Sequence, residues 1–384
     1  MRRGADVVIV GGGVIGAACA HAAARAGLDV LVVERGGIAA GTTGAGEGNL
    51  LVSDKPPGPE LDLALLSLAG WDDVADELPA DIELERKGGL VTAAAPAALT
   101  ALATLGGAQA EAGVEVVPVA AGELHGREPA LAAGLAGGAL YPQDAQLQPM
   151  RATAALLAAA RARGAEVRLG TELVGIERGA DGAVRGAVLS TGTIATPAIV
   201  NAAGVWAPAV ARLAGSELPV APRRGAILVT EPLAPLIRHK VYAADYVAAV
   251  GSTDEGLLVS PVIEGTPSGT ILIGSSRERV GFDGVVPVAV LRALAAAAIA
   301  LFPVLAGVRA MRVYHGFRPY CPDNLPVIGE DPAVRGLWHA SGHEGAGIGL
   351  APGTAQLVVA GLTATTPPLD PQPFDPGRFA VVAA

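Results

Sequence analysis

Gly11, Gly13 and Gly16 stand at G-x-G-x-x-G spacing, and Glu34 closes the next apolar run. Each glycine at that spacing serves a separate physical need. One makes a tight turn, one lets backbone approach a diphosphate, and one lets a helix pack closely on a strand. An acid at the position of Glu34 accepts from ribose hydroxyls and disfavours a 2′-phosphate. The chemistry these residues support is dinucleotide binding, with FAD or NAD preferred over NADP. The diphosphate belongs on the helix N-terminus opened by Val14 and Ile15, where unpaired N–H groups favour anions. Arg35 follows the acid directly.

Three further stretches carry groups suited to the same crevice. In the first, Thr42, Thr43, Gly46, Glu47, Gly48, Asn49 and Leu50 form a run too polar and glycine-rich for a regular element. Ligands bind outside the carboxyl ends of the strands, so this loop is expected to fold against the cofactor. In the second, Asn201, Ala202, Ala203, Gly204, Val205 and Trp206 follow an apolar run, and their small side chains let backbone approach a ligand. The third is a glycine-rich turn, Gly342-His343-Glu344-Gly345-Ala346-Gly347-Ile348-Gly349. A helix expected over residues 353–362 gives that turn a second positive dipole end.

The elements that must position these groups read as alternating strands and helices. Val7–Val10 is apolar and β-branched, the mark of a strand buried on both faces. An alanine-rich helix over 14–26 and a strand over 28–33 complete a βαβ unit. Apolar spacing predicts helices over 61–78, 150–163 and 288–301, with a less patterned one over 96–112 and a helical turn over 123–129. Strands are expected over 82–92, 114–119 and 194–200, a hairpin turns at Asp181-Gly182, and 220–276 is strand-rich before a strand over 308–316. The proline-rich tail is expected to wrap the surface.

Composition narrows the class. The 384 residues are enough for two domains with sizeable cores, and a net charge of −10 makes nucleic acid and anionic membranes poor partners. The most apolar helix is too short to span a bilayer. Arg2, Arg3 and the following apolar run imitate a signal peptide, but a complete βαβ unit continues through it, so a soluble, cytoplasmic protein is expected. Cys19 and Cys321 are the only cysteines, which leaves no metal site, iron–sulfur ligand set or disulfide framework to expect.

Taken in order, the opening fingerprint, the Asn201 block, the Gly316-x-Arg318-Pro319-x-x-Pro322-Asp323 block and the closing Gly342-His343 turn resemble the D-amino-acid oxidase, glycine oxidase and sarcosine oxidase superfamily of FAD enzymes. The closing turn is most similar to the catalytic subunits of opine oxidase, hydrogen cyanide synthase and D-hydroxyproline dehydrogenase. The resemblance implies an α/β plus α+β fold. Its FAD-binding domain is Rossmann-type and glutathione-reductase-like, assembled from residues 1–80, 148–215 and 318–384. Its mixed-sheet substrate domain comes from residues 81–147 and 216–317.

By position, the resemblance makes Arg318 the grip on a substrate carboxylate, which suits a planar guanidinium fork. It sets His343, Glu344 and the rest of the closing turn against the flavin. Tyr246 and Tyr242 are candidates for a hydroxyl that orients the substrate, with half-buried strand aromatics as the plain alternative. The activity implied is FAD-dependent dehydrogenation of a secondary or D-configured amino acid to the imine, by hydride transfer to flavin N5. In sarcosine oxidases a cysteine several residues before the Pro-Asp pair bonds the flavin. Cys321 directly precedes Pro322, so non-covalent FAD is expected. The implied partners are the amino-acid substrate and an electron-accepting subunit or a second copy of the chain. Two rivals stay open: an NAD-dependent dehydrogenase, and a non-catalytic flavoprotein subunit of a larger complex.

Overall fold

A computed structural model describes residues 4–250 and 254–382. Its first sheet has six strands in the order Val327–Glu330, Leu337–Ser341, Ile199–Asn201, Val7–Val10, Val30–Glu34 and Glu166–Leu169. All pairings are parallel except that of Val327–Glu330. The continuous apolar run at Val7–Val10 follows from burial on two sides. Val7 and Ile9 pack with helices Val14–Arg25, Pro149–Ala162 and Gly347–Leu362, whereas Val8 and Val10 face a three-stranded antiparallel layer of residues 173–195. Alternate side chains of a strand point to opposite faces, so neither parity is free to be polar.

The second sheet has eight strands: Ala310–Tyr320, Ala221–Thr230, Ile271–Arg277, Leu258–Gly265, Lys240–Ala243, Gly89–Ala93, Gly137–Tyr141 and Val117–Ala120. Lys240–Ala243 pairs in parallel with Gly89–Ala93 and the other pairings are antiparallel, so the sheet is mixed. Helix Val288–Leu301 covers one face, burying Val290, Leu294, Ala298 and Leu301 against Leu228, Ile263 and Ile273. Each such fully buried Leu or Ile contributes about 1.5–3 kcal/mol. The other face supplies a wall of the functional cleft.

Three expectations need correction. The strand expected over 194–200 is two strands, Gly192–Ala195 in the three-stranded layer and Ile199–Asn201 in the parallel sheet. Pro197 has no N–H for a ladder, and Thr196 Oγ1 instead donates to Ala198 O at 2.9 Å. The strand expected over 82–92 is confined to Gly89–Ala93, because Glu83 and Gly88 adopt positive φ of 55° and 74°. The last helix begins at Gly347, six residues earlier than expected, and contains Pro352. Proline at that position leaves the carbonyl four residues back without its helical donor. That carbonyl belongs to Ile348, and the buried Trp71 indole Nε1 donates to it at 2.9 Å.

Candidate active site

The glycine fingerprint folds as a tight turn between the first strand and the first helix. Gly11 has φ +121°, and a Cβ there would run into the Ala202 carbonyl of the neighbouring strand connection. A Cβ on Gly16 would fall on Gly11 O, so this glycine lets the helix sit against the turn. The Val14–Arg25 helix has no side-chain cap and no acid in its first turn. Thr43 Oγ1 accepts from Val14 N at 3.1 Å, and the rest of this helix end opens on a cleft of about 420 Å³. Glu34 accepts from Gly12 N at 2.7 Å and from Gly36 N at 2.6 Å. Each of its oxygens keeps a lone pair.

The cleft gathers most of the residues singled out in the sequence. Gly11, Gly13, Val14, Ile15, Glu34 and Arg35 line one end. Thr42, Thr43, Gly46, Glu47 and Asn49 line a side, and Ala202, Gly204 and Trp206 lie beside the turn. The Arg35 guanidinium stacks over the Trp206 ring at 4.6 Å. Gly345, Gly347 and Ile348 come from the closing turn, and Arg318, His343, Glu344 and Tyr246 complete the opposite end. Gly16, Gly48, Leu50, Gly342, Ala346 and Gly349 do not line it. Gly48 instead lets backbone cross Leu147, and Leu50 is core. A Cβ on Gly349 would lie 3.3 Å from Asn49 O, so this glycine brings the last helix close to that strand. Gly342 turns the chain at φ +80°, and Ala346 caps the last helix.

Around Glu344 the structure assembles three guanidinium groups. Its Oε1 lies 3.4 Å from Arg277 Nε, 3.6 Å from Arg223 Nη1 and 3.8 Å from Arg318 Nε. Burial pushes the Glu344 carboxyl up, but Arg277, Arg318 and Arg223 outweigh it and hold the group below the usual range. Arg318 Nη1 also donates to Ser276 O at 2.8 Å. Arg277 Nη1 donates to Ser275 Oγ at 2.9 Å, and its guanidinium lies 4.8 Å over the Tyr246 ring. Arg223 and Arg277 escaped the sequence reading. Arg223 pairs in register with Arg318 across two strands nearly a hundred residues apart, a juxtaposition that no local motif announces.

His343 reaches the cleft but its ring is committed. Nε2 meets Thr354 Oγ1 at 2.9 Å, and burial lowers the imidazole pKa to about 3. It is therefore a neutral ring at working pH, with no cationic charge to offer. Tyr242 is not in the cleft. Its hydroxyl bonds Ser53 Oγ, which also bonds Asp144, so the plain alternative of a buried strand aromatic holds for it. Cys19 and Cys321 are both buried outside the cleft lining, and burial pushes each thiol up to about 12.

The family model described as DAO, FAD dependent oxidoreductase, matches residues 6–360. The chain belongs to this family. It is 33% identical over 362 residues to a glycine oxidase of Geobacillus kaustophilus, covering 92% of this chain and 91% of the relative. It is 31% identical over 258 residues to hydrogen cyanide synthase subunit HcnC of Pseudomonas aeruginosa, covering 67% of this chain and 58% of that protein. The crystal structure of the Geobacillus kaustophilus glycine oxidase superposes with a TM-score of 0.88 at 30% identity, covering 98% of both chains.

As a member of this family the chain is an FAD-dependent oxidoreductase, and its own residues fit that cofactor. The helix end at Gly13 suits a diphosphate, Glu34 and Arg35 suit the adenosine side, and Thr42, Thr43 and Asn49 offer polar contacts along the cleft. Neither thiol lines the cleft. Among the described residues no group of His, Cys, Asp and Glu could hold a metal ion, and no helix is long and apolar enough to cross a membrane.

Proposed function

We propose that this oxidoreductase dehydrogenates a small amino acid, secondary or D-configured, at the carbon bearing the amine. The observation that carries the reading is the cationic end of the cleft, where Arg318, Arg277 and Arg223 share one buried carboxylate, Glu344. Guanidinium groups gathered at one end of a cleft favour a carboxylate ligand there. Arg318 is the arginine of the three that lines the cleft. Its fork suits bidentate contact with a carboxylate. When bound, FAD would supply the two-electron acceptor for this dehydrogenation, with the imine as the expected product.

The chain's part is orientation. Glu344, itself buried, and Ser276 O fix the Arg318 head, and a carboxylate held there would orient the α-carbon. Tyr246, buried beneath Arg277, is proposed to bound the side-chain pocket. A cofactor domain of residues 1–80, 148–215 and 318–384 and a substrate domain from the remainder are part of this reading, supported by which strands share each sheet, except that Arg318, Pro319 and Tyr320 end a strand of the mixed sheet. Electrons are proposed to leave through a partner subunit, supported only by the likeness to HcnC, a protein named as a subunit. The test is the flavin spectrum of purified protein under anaerobic addition of glycine, N-methylglycine, prolines and D-amino acids. Bleaching by at least one of them is expected, and a spectrum unchanged by the whole panel sinks the reading.

A further inference from the structure

Glu47 lines the cleft, in the loop expected to fold against the cofactor, and takes no part in the carboxylate clamp. It is only 7% exposed, and its Oε1 has no hydrogen-bond partner. Oε2 has one long contact, from Asn49 Nδ2 at 3.5 Å. A buried acceptor left unmade costs far more than one that is paired, so this oxygen awaits a donor.

The surroundings are built to keep it there. A Cβ on Gly274, in the strand Ile271–Arg277, would lie 2.7 Å from Glu47 Oε1, so only glycine leaves room for the carboxyl group on that strand. Tyr314 donates its hydroxyl to Gly46 O at 3.3 Å and pins the loop. Behind the loop, Lys240 is already paired with Glu264, which also accepts from Gly48 N at 3.1 Å. The charged and titratable groups facing Glu47 are Lys240, Glu264, Tyr246, Arg318 and Tyr314; the last two share one strand and the others come from three separate elements. Burial raises its carboxyl above the ordinary range, Glu264 adds to this, and Lys240 and Arg318 act against it.

We propose that Glu47 receives the substrate's ammonium group, accepting its N–H at Oε1 while Arg318 holds the carboxylate, and takes one proton from it. The proton balance is simple: the ammonium becomes the neutral amine whose lone pair the dehydrogenation needs, and the carboxylate becomes the carboxyl group. A carboxyl with a raised pKa is matched to that exchange better than a solvent-exposed one. The pair Glu47 and Arg318 thus reads both charges of a zwitterion. The inference rests on the amino-acid reading above.

The experiment titrates the flavin spectrum of the holoenzyme with two carboxylates. α-Aminoisobutyrate carries an ammonium group but no α-hydrogen, so it binds without reacting. Isobutyrate lacks the amine. Wild type is expected to bind the amino form at least roughly tenfold more tightly, the size of one charge-assisted hydrogen bond. Glu47→Gln should erase that preference while the Kd for isobutyrate stays within about twofold. A preference that survives the substitution overturns the proposal, as does a Glu47→Gln protein that folds but loses its flavin, since the side chain then belongs to the cofactor's seat. Should the glutamine variant not fold, Glu47→Asp decides, because the shortened carboxylate must weaken the preference and an unchanged preference refutes the assignment. Failure of the amino-acid reading looks different: neither ligand perturbs the wild-type flavin and no amino acid bleaches it.

Discussion

The Arg318 guanidinium lies flat across Gly225 of the neighbouring strand, so that a Cβ on residue 225 would fall on Nη1. The glycine leaves room both for the arginine and for Ser276 O, which would lie 2.8 Å from the same Cβ. Gly225→Ala is therefore expected to swing Arg318 away from Ser276 O without disturbing the distant helix end that suits FAD. Bound flavin should remain at wild-type content, while kcat/KM for a carboxylate-bearing amine falls at least roughly tenfold, the loss of one charge-assisted hydrogen bond. Unchanged kinetics in this variant would mean that the clamp is elsewhere.

Arg318→Lys tests the same group by its geometry rather than its position. Lysine keeps the charge but cannot present two parallel donors. Flavin reduction by an amino acid should slow at least roughly tenfold, and by more where the α-carbon shifts from its seat. The corresponding amino amide should reduce the flavin at the same rate in both proteins. Equal rates of flavin reduction by the acid in wild type and mutant place Arg318 outside the substrate's reach.

What the sequence disclosed and what it concealed divide along a physical line. The βαβ unit was legible because its signals are local: Gly11, Gly13 and Gly16 at fixed spacing, an apolar run before them and Glu34 after. Arg318 was legible only through a family likeness. Arg223 and Arg277 were not, because what joins them to Arg318 is the register of three strands, and sequence separation hides register. The early start of the last helix was masked by Gly345, Gly347, Gly349 and Pro352, residues that argue against helix until Trp71 supplies the donor that Ile348 O lacks.

The cofactor is expected to come away intact. With Cys19 and Cys321 both outside the cleft lining, acid precipitation should leave a colourless pellet and a yellow supernatant. Gly13 faces the cleft, and its Cβ would also press on Thr43 Oγ1 at 3.1 Å. Gly13→Val should yield folded protein without flavin, read as a lost absorbance band with far-ultraviolet dichroism retained. Flavin at wild-type stoichiometry in that variant would contradict the assignment of the helix end.

Glu344 decides how the cationic end of the cleft survives folding. Its carboxylate is the shared counter-charge of Arg277, Arg318 and Arg223, held on a backbone at φ +45°, with Gly345 N donating to Oε2 at 2.5 Å. Burial alone would raise its pKa, and the three arginines depress it instead. A carboxyl whose folded pKa is depressed contributes stability that is present above its unfolded pKa of about 4.3 and is lost as pH falls through the folded value. Glu344→Gln keeps the shape and backbone strain but leaves the arginines without their common anion. Removing one partner of a buried ion pair costs about 3–5 kcal/mol, so urea denaturation at pH 7 should show a loss of that order. The gap between wild type and variant should then narrow as pH falls below about 4, because the wild-type carboxylate is progressively neutralised. Isobutyrate should recover part of the loss at neutral pH by lending the arginines a carboxylate. If the two proteins unfold at the same urea concentration at pH 7, the cluster is compensated from another direction and Glu344 is not its keystone.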